Sequence, residues 1–260
     1  MGRRSRADRI AAVGFRGVRA KGHPEPTSTG LSGTVTRPKA WLSWSSGKDS
    51  AYSLSVLREQ AEVDVVGLVT TVNAEFDRVA MHGVRRKLLE QQADAVGVPL
   101  HPVDIPWPCS NEQYEAAMSE LIRSARAQGI SQMAFGDLFL ADIRAHRETQ
   151  LQVTGIEPLF PIWGRDTTSL AQDMLRSGIR ATISCVDSVQ LDPSFAGRAF
   201  DAALLRDLPE SADHCGEKGE FHTFTWDGPG FRWPVPITVG ETVERDGFVF
   251  TDLLAATPES

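Results

Sequence analysis

The stretch Trp41-Leu42-Ser43-Trp44-Ser45-Ser46-Gly47-Lys48-Asp49-Ser50 constrains this 260-residue chain more than any other. An apolar run leads into small hydroxyl residues with one Gly, then a cation and a carboxylate. That order reads as a buried strand, a tight loop and a helix start. A helix start presents unpaired N–H groups and the positive end of its dipole. Small residues before it let a phosphate approach closely, and Lys48 adds a point charge for that anion. A Walker A loop is excluded. That pattern requires Gly where Leu42 stands and Ser or Thr where Asp49 stands.

The residues that follow continue the alternation. Ala40–Trp44 reads as the first strand and Lys48 to about Ala61 as a helix, with Leu54, Leu57 and Ala61 on one face. Val65–Val72 is a β-branched run suited to a strand buried on both faces. A helix is expected from about His82 to Val96, closed by Gly97. Leu100–Ile105 is a third strand. Ser110 caps the next helix, with Gln113 in the capping-box position. Met133–Gly136 is a fourth strand, and a helix over Ala141 to about Thr154 follows. Glu157–Phe160 and Thr182–Val186 are short strands around a helix at Thr168–Ser177. Asp192-Pro193 is expected to start another helix. Phe221–Trp226 reads as a strand. Ile237–Val243 and Phe248–Leu254 flank a turn at Glu244-Arg245-Asp246-Gly247.

The expected fold is therefore α/β. A Rossmann-like parallel sheet carries helices on both faces, and a smaller α+β region follows. Ligands of such sheets bind at the carboxyl ends of the strands, where the opening loop lies. The expected division is a disordered basic extension over 1–38, a nucleotide-binding domain over 39–140, a substrate-binding and catalytic domain over 141–235, and a β-hairpin extension over 236–260.

Charge sharpens the division. Residues 1–40 hold nine Lys and Arg against two acids, a net of +7, so the remainder carries −14 of the overall −7. An acidic body argues against general nucleic-acid binding, which needs a basic surface. The basic start reads as an unstructured tail, a transit peptide or a start assigned too far upstream. No apolar run reaches the length of a membrane span. Cys109, Cys185 and Cys215 are odd in number and lack C-x-x-C spacing, which argues against a disulfide framework or structural zinc. A cytoplasmic setting is expected.

Four further clusters carry polar chemistry. Phe135-Gly136-Asp137 ends a strand; its Gly permits close approach, and its Asp suits a ligand, magnesium or only a turn. Asp142 to Glu148 follows on a helix. There Arg144 and Arg147 share a face that suits an anion or plain solvation, and His146 is a candidate base. Phe160-Pro161-Ile162-Trp163-Gly164-Arg165-Asp166 is a turn whose Trp163 suits a pocket wall or the core. Cys215-Gly216-Glu217-Lys218-Gly219-Glu220-Phe221-His222-Thr223 crowds two carboxylates, a His and a Thr into a Gly-flanked loop, the kind of place where binding residues gather.

Ser45-Ser46-Gly47-Lys48-Asp49-Ser50 resembles the PP-loop of ATP pyrophosphatases, usually Ser-Gly-Gly-Lys-Asp-Ser, with Ser46 in place of a Gly. Glu217-Lys218-Gly219-Glu220-Phe221-His222-Thr223 matches the second signature of the diphthine–ammonia ligase family, Glu-x-Gly-Glu-Phe-His-Thr. The blocks Met81-His82-Gly83-Val84-Arg85, Gly136-Asp137, His146-Arg147, Pro161 to Asp166 and Asp227-Gly228-Pro229 resemble that family in the same order. Together they cover roughly Lys39 to Phe231. Trp107-Pro108-Cys109-Ser110-Asn111-Glu112 resembles its bacterial branch, for which an acceptor other than diphthine is expected.

The resemblance implies that ATP adenylates a carboxylate and that ammonia displaces AMP to form an amide. It implies ATP and Mg2+ as cofactors. Ser45, Ser46, Gly47, Lys48, Asp49, Ser50, Gly136 and Asp137 would bind nucleotide, with Asp49 on the metal. Arg144, His146, Arg147, Trp163, Arg165, Gly219 and Thr223 would bind substrate. Lys48, Asp49, Glu217, Glu220 and His222 would be catalytic, with His222 or a Glu taking the ammonium proton. The expected partners are ammonia and a small or protein-borne carboxylate, with neither membrane nor nucleic acid; a homodimer is compatible. Two other readings stay open: a tRNA-modifying PP-loop enzyme, and an adenine-nucleotide binding or hydrolysing protein without ligase activity.

Overall fold

The fold is described by a computed structural model covering residues 36–256. The basic extension expected over 1–38 lies outside the described residues, except for its last three. Strand β1 (Lys39–Ser43) leads into helix α1 (Lys48–Gln60). Strand β2 (Asp64–Asn73), helix α2 (Arg86–Val96) and strand β4 (Leu100–Ile105) follow, with a two-residue β3 (Arg78–Val79) between β2 and α2. Helix α3 (Asn111–Ala127), β5 (Gln132–Ala134), α4 (Ala141–Gln152) and β6 (Glu157–Leu159) complete the first sheet. Its parallel strands run in the order β4-β2-β1-β5-β6, and β3 pairs antiparallel with the far end of β2.

Alternation along the strands sorts the core onto two faces. Trp41, Val69 and Met133 pack with Leu121 and Ala125 of α3 and Leu151 of α4. Their neighbours Leu42, Leu68 and Ala134 point the other way, towards Leu54 of α1 and Leu88 of α2. A period of two is what a pleated strand dictates. Trp41 is fully buried, so its replacement by Ala would cost about 3–5 kcal/mol.

The second sheet is antiparallel, in the order β8-β7-β10-β9. It comprises β7 (Arg180–Asp187), β8 (Phe221–Asp227), β9 (Ile237–Arg245) and β10 (Phe248–Ala255). Helix α5 (Thr167–Ser177) is capped by the Asp166 side chain and ended by Gly178. The β9–β10 turn is Asp246-Gly247, with φ of 52° and 82°. Two positive φ values in a two-residue loop are the type I′ hairpin that suits strand twist. β6 extends the first sheet, and β10 pairs with β7 through Phe248–Phe250. Sheet membership thus does not divide the chain at residues 140 and 235.

Two expected helices differ. The helix expected from His82 begins at Arg86, because Met81 and Gly83 take positive φ (63° and 67°) and Val79 N–H donates to the Val84 carbonyl. That closes a turn where the helix was expected. Asp192 does cap its segment, but Pro193–Phe195 is a single 3-10 turn, because Ala196 returns to extended backbone. The helix there is α6 (Ala202–Asp207), capped by Asp201.

Candidate active site

Strand order reverses at β1, with β2 on one side and β5 on the other. That is the switch point where open α/β sheets bind ligands. The loop after β1 and the loop after β5 meet there. A Cβ added at Gly136 would lie 3.2 Å from Asp49 C and Ser50 N, so a side chain there would crowd the backbone at the start of α1.

The phosphate loop is braced from both sheets. Lys48 N–H donates to the Thr223 hydroxyl at 3.1 Å. The Ser46 carbonyl accepts from Thr225 N–H at 2.9 Å and from Gln92 Nε2 at 3.0 Å. Gln92 Nε2 also donates to the Thr225 carbonyl at 2.5 Å, and its Oε1 accepts from Trp44 Nε1 at 2.6 Å. Thr70 Oγ1 donates to the Trp44 carbonyl. Within the loop, Gly47 N–H donates to Ser45 Oγ at 3.3 Å and Ser50 Oγ to the Gly47 carbonyl at 2.9 Å. Ser46 has φ of 69° and its buried hydroxyl has no partner. A left-handed backbone is where Gly is favoured, which accounts physically for the Gly in the usual loop.

Lys48 is 2% exposed. Its Nζ donates to Asp49 Oδ2 at 2.9 Å and to the Cys215 carbonyl, and lies over the Phe200 and Phe221 rings. Burial opposes its charge most strongly, but Asp49, Cys215 and Glu217 together hold its pKa above the ordinary value. Burial pushes the Asp49 carboxyl up, against the pull of Lys48. Asp49 Oδ1 is buried and unpartnered, the only carboxylate oxygen so placed among the described residues. No cluster of three or more His, Cys, Asp or Glu suited to a metal occurs among those residues.

The loop 213–220 is shaped by two carboxylates. Asp213 accepts from Thr167 Oγ1, Cys215 N–H and Glu217 N–H. Glu220 is buried and accepts from Asp213 N–H at 2.8 Å and Lys218 N–H at 3.0 Å. Glu217 reaches across to the loop after β5, accepting from Leu138 N–H at 2.8 Å. Burial pushes its carboxyl up to about 7, with Asp49 and Asp137 adding to the rise. Burial, helped by Lys48, takes His222 down to about 4, so its imidazole is neutral at pH 7.

These groups surround one cavity of about 890 Å³. Ser45, Lys48, Asp49 and Ser50 line it from the phosphate loop, and Gly136, Asp137, His146 and Arg147 from β5 and α4. Glu217, Gly219, His222 and Thr223 line it from the second signature. Arg147 is held by Asp137 through two hydrogen bonds, at 2.6 and 3.2 Å. Six expected site residues stand off the lining. Ser46 and Gly47 support the loop from behind, and Glu220 folds its own loop. Arg144 stacks on Phe160 and Trp163 and pairs with Glu148, which occupies both Arg144 and Trp163. Arg165 pairs with Asp173 beside Tyr52.

Sequence reasoning assigned no role to Gln92, His82 or Asp213. Gln92 had a signal. It sits on the apolar stripe formed by Leu88, Leu89, Ala93 and Val96, where a polar residue needs a buried partner.

The parallel sheet, the loop at its switch point and the converging carboxylates define a nucleotide-dependent α/β enzyme of PP-loop type. Residues 38–156 match the diphthamide synthase N-terminal domain, and residues 166–251 match the diphthamide synthase C-terminal domain. The chain belongs to the diphthamide synthase family, and it is an ATP-dependent ligase of that family. It is similar to the diphthine–ammonia ligase of Bos taurus, 26% identical over 227 residues, covering 79% of this chain and 85% of that protein. The Danio rerio enzyme of the same name is 26% identical over 219 residues, covering 76% and 86%. That of Schizosaccharomyces pombe is 23% identical over 220 residues, covering 77% of this chain but 36% of its own length. Among the described residues no helix is long and apolar enough to cross a membrane.

Proposed function

We propose that this chain adenylates a substrate carboxylate with ATP and transfers the acyl group to ammonia, forming an amide and releasing AMP and pyrophosphate. The observation that carries the reading is the Lys48–Thr223 hydrogen bond. It joins the phosphate loop to the Glu217–Thr223 signature in one cavity. Diphthine, the acceptor in the relatives' name, is the first carboxylate to test, and others follow from the same chemistry.

Ser45, Ser50 and the N–H groups at the start of α1 bind the pyrophosphate end of ATP, with Ser46 and Gly47 setting the loop's path. Lys48 stabilises charge on the departing pyrophosphate. Asp49 would hold magnesium, for which its buried, unpartnered Oδ1 is a suitable hard oxygen ligand. Magnesium, when bound, would neutralise phosphate charge at the reacting end. Gly136 lets β5 close against the loop, and Asp137 orients Arg147 towards an anion. His146 and Gly219 border the acceptor. Burial brings the proton affinity of Glu217 up to about 7, which suits it to take up the proton released on amide formation. Buried Cys185 and Cys215 remain free thiols, in keeping with a cytoplasmic setting.

The test is product identity. The full-length protein is incubated with ATP, magnesium, ammonium and a panel of carboxylates that includes diphthine-bearing elongation factor 2. Acceptor-dependent AMP and pyrophosphate are expected. ADP and phosphate would replace this reading with a hydrolase, and no turnover with a nucleotide-binding protein.

A further inference from the structure

His82 has no part in the chemistry above, yet it lines the cavity from the turn after β3. Its ring packs over the phosphate loop: a Cβ added at Gly47 would lie 3.1 Å from its Cε1. On another side stands the His222 ring, at 4.6 Å between centroids and 40° between planes. His82 Nδ1 is 3.2 Å from the Thr223 carbonyl oxygen. A carbonyl only accepts, so Nδ1 carries the proton. Burial, with His222 and Lys48 nearby, keeps the ring neutral. A neutral ring protonated at Nδ1 has a bare lone pair at Nε2. Nε2 has no hydrogen-bond partner among the described residues and is not one of the fully buried orphan atoms, so it keeps some exposure on a residue that lines the cavity.

We propose that His82 Nε2 receives the incoming ammonia and aims it at the activated carboxyl. The proposal rests on the ligase reading above. Phosphates and carboxylates at neutral pH offer only acceptors, which a bare lone pair repels. Ammonia offers N–H donors. The position over Gly47, next to the Thr223 anchor of Lys48, is the phosphate end of the cavity, where the carboxyl is activated. An N–H···Nε2 hydrogen bond leaves the ammonia lone pair free for the carboxyl carbon. The C–N bond forms, the bond from that carbon to the AMP oxygen breaks, and its electron pair departs with AMP. The proton shed by nitrogen passes along the hydrogen bond to Nε2, then to water or Glu217.

The first test needs no acceptor. The full-length protein, labelled with 15N-histidine, is titrated with ammonium chloride, with potassium chloride as control. His82 is assigned by the loss of its signals in His82→Gln. A neutral ring protonated at Nδ1 is expected, with an Nε2 resonance that moves only with ammonium. A ring protonated at Nε2, or an Nε2 that ammonium does not move, overturns the proposal. The second test follows kinetics with a carboxylate that supports ATP–pyrophosphate exchange. His82→Asn keeps a donor for Thr223 but has no acceptor at the Nε2 position. It should leave exchange intact and raise KM for ammonium about tenfold, the worth of one hydrogen bond. His82→Gln, whose Oε1 stands near the Nε2 position, should recover part of that loss. An unchanged KM for ammonium in His82→Asn also overturns the proposal. Absence of exchange in the wild type would remove the ligase reading, and the titration would still decide the role of His82.

Discussion

The backbone N–H of Lys48 donates to the side-chain hydroxyl of Thr223 at 3.1 Å, across 175 positions of sequence. A first-turn N–H has no partner inside its own helix, so the second signature supplies one. Thr223→Val should leave that N–H unpaired, costing about 1–3 kcal/mol of stability. It should also slow pyrophosphate release, while Thr223→Ser keeps most of both. Urea unfolding and pyrophosphate assays of the two variants check this; equal stability in both would show that the hydroxyl is unimportant.

Gln92 bridges Trp44, Ser46 and Thr225 with one side chain. Gln92→Leu has nearly the same volume but removes all three hydrogen bonds, orphaning the buried Trp44 indole N–H and leaving the Ser46 carbonyl with Thr225 N–H alone. A loss of at least about 2 kcal/mol is expected, with KM for ATP raised although Gln92 does not line the cavity. Denaturation and ATP-dependence measurements on the one variant report both effects.

Ser46 holds a left-handed backbone with an unpartnered hydroxyl. Ser46→Gly should relieve roughly 1 kcal/mol of strain, raising the melting temperature by about 2–4 °C. A thermal scan decides the matter, and a lower melting temperature would contradict the loop geometry.

Protonation gives signed expectations. Glu217 binds its proton more tightly folded, at about 7, than unfolded. Its contribution is therefore present at low pH and lost as pH rises from about 4.5 to 7. His222 behaves oppositely. With a folded value near 4, its contribution is present above about 6.5 and lost as pH falls towards 4. Relative to the wild type, Glu217→Gln should gain stability as pH rises through 7, and His222→Gln should lose less stability in acid. Unfolding free energies measured across pH 4–8 test both slopes.

Lys48→Ala should abolish pyrophosphate release with every acceptor, because it removes the buried ammonium at the start of α1. It should also leave the Cys215 carbonyl and Asp49 without their partner. Single-turnover assays on a folded variant check the chemistry, and full retained turnover would remove the assignment of the loop.

The core strands were legible because local signals agreed with tertiary ones. Leu100–Ile105 and the Ser110–Gln113 capping box occur as read. The turn at 80–85 was not, because positive φ at Met81 and Gly83 delays to Arg86 the helix expected from His82. Arg144, Trp163 and Arg165 had suitable chemistry on suitable elements. Their direction depends on Glu148, Phe160, Asp173 and Tyr52, whose positions no local pattern reveals.

The order Ser-Gly-Lys-Asp-Ser after a buried strand determined by itself that a tight loop and a helix start follow the first strand. Strand–helix alternation determined the parallel sheet that carries them. Both are short-range consequences of backbone geometry and side-chain period. Which distant groups close on that loop was decided only by the tertiary structure. There Gln92, Thr223 and Thr225 meet the loop's unpaired polar groups, and the turn after β3 turns His82 over Gly47. Buried donors and acceptors must find partners wherever packing brings them, and packing is a property of the whole chain.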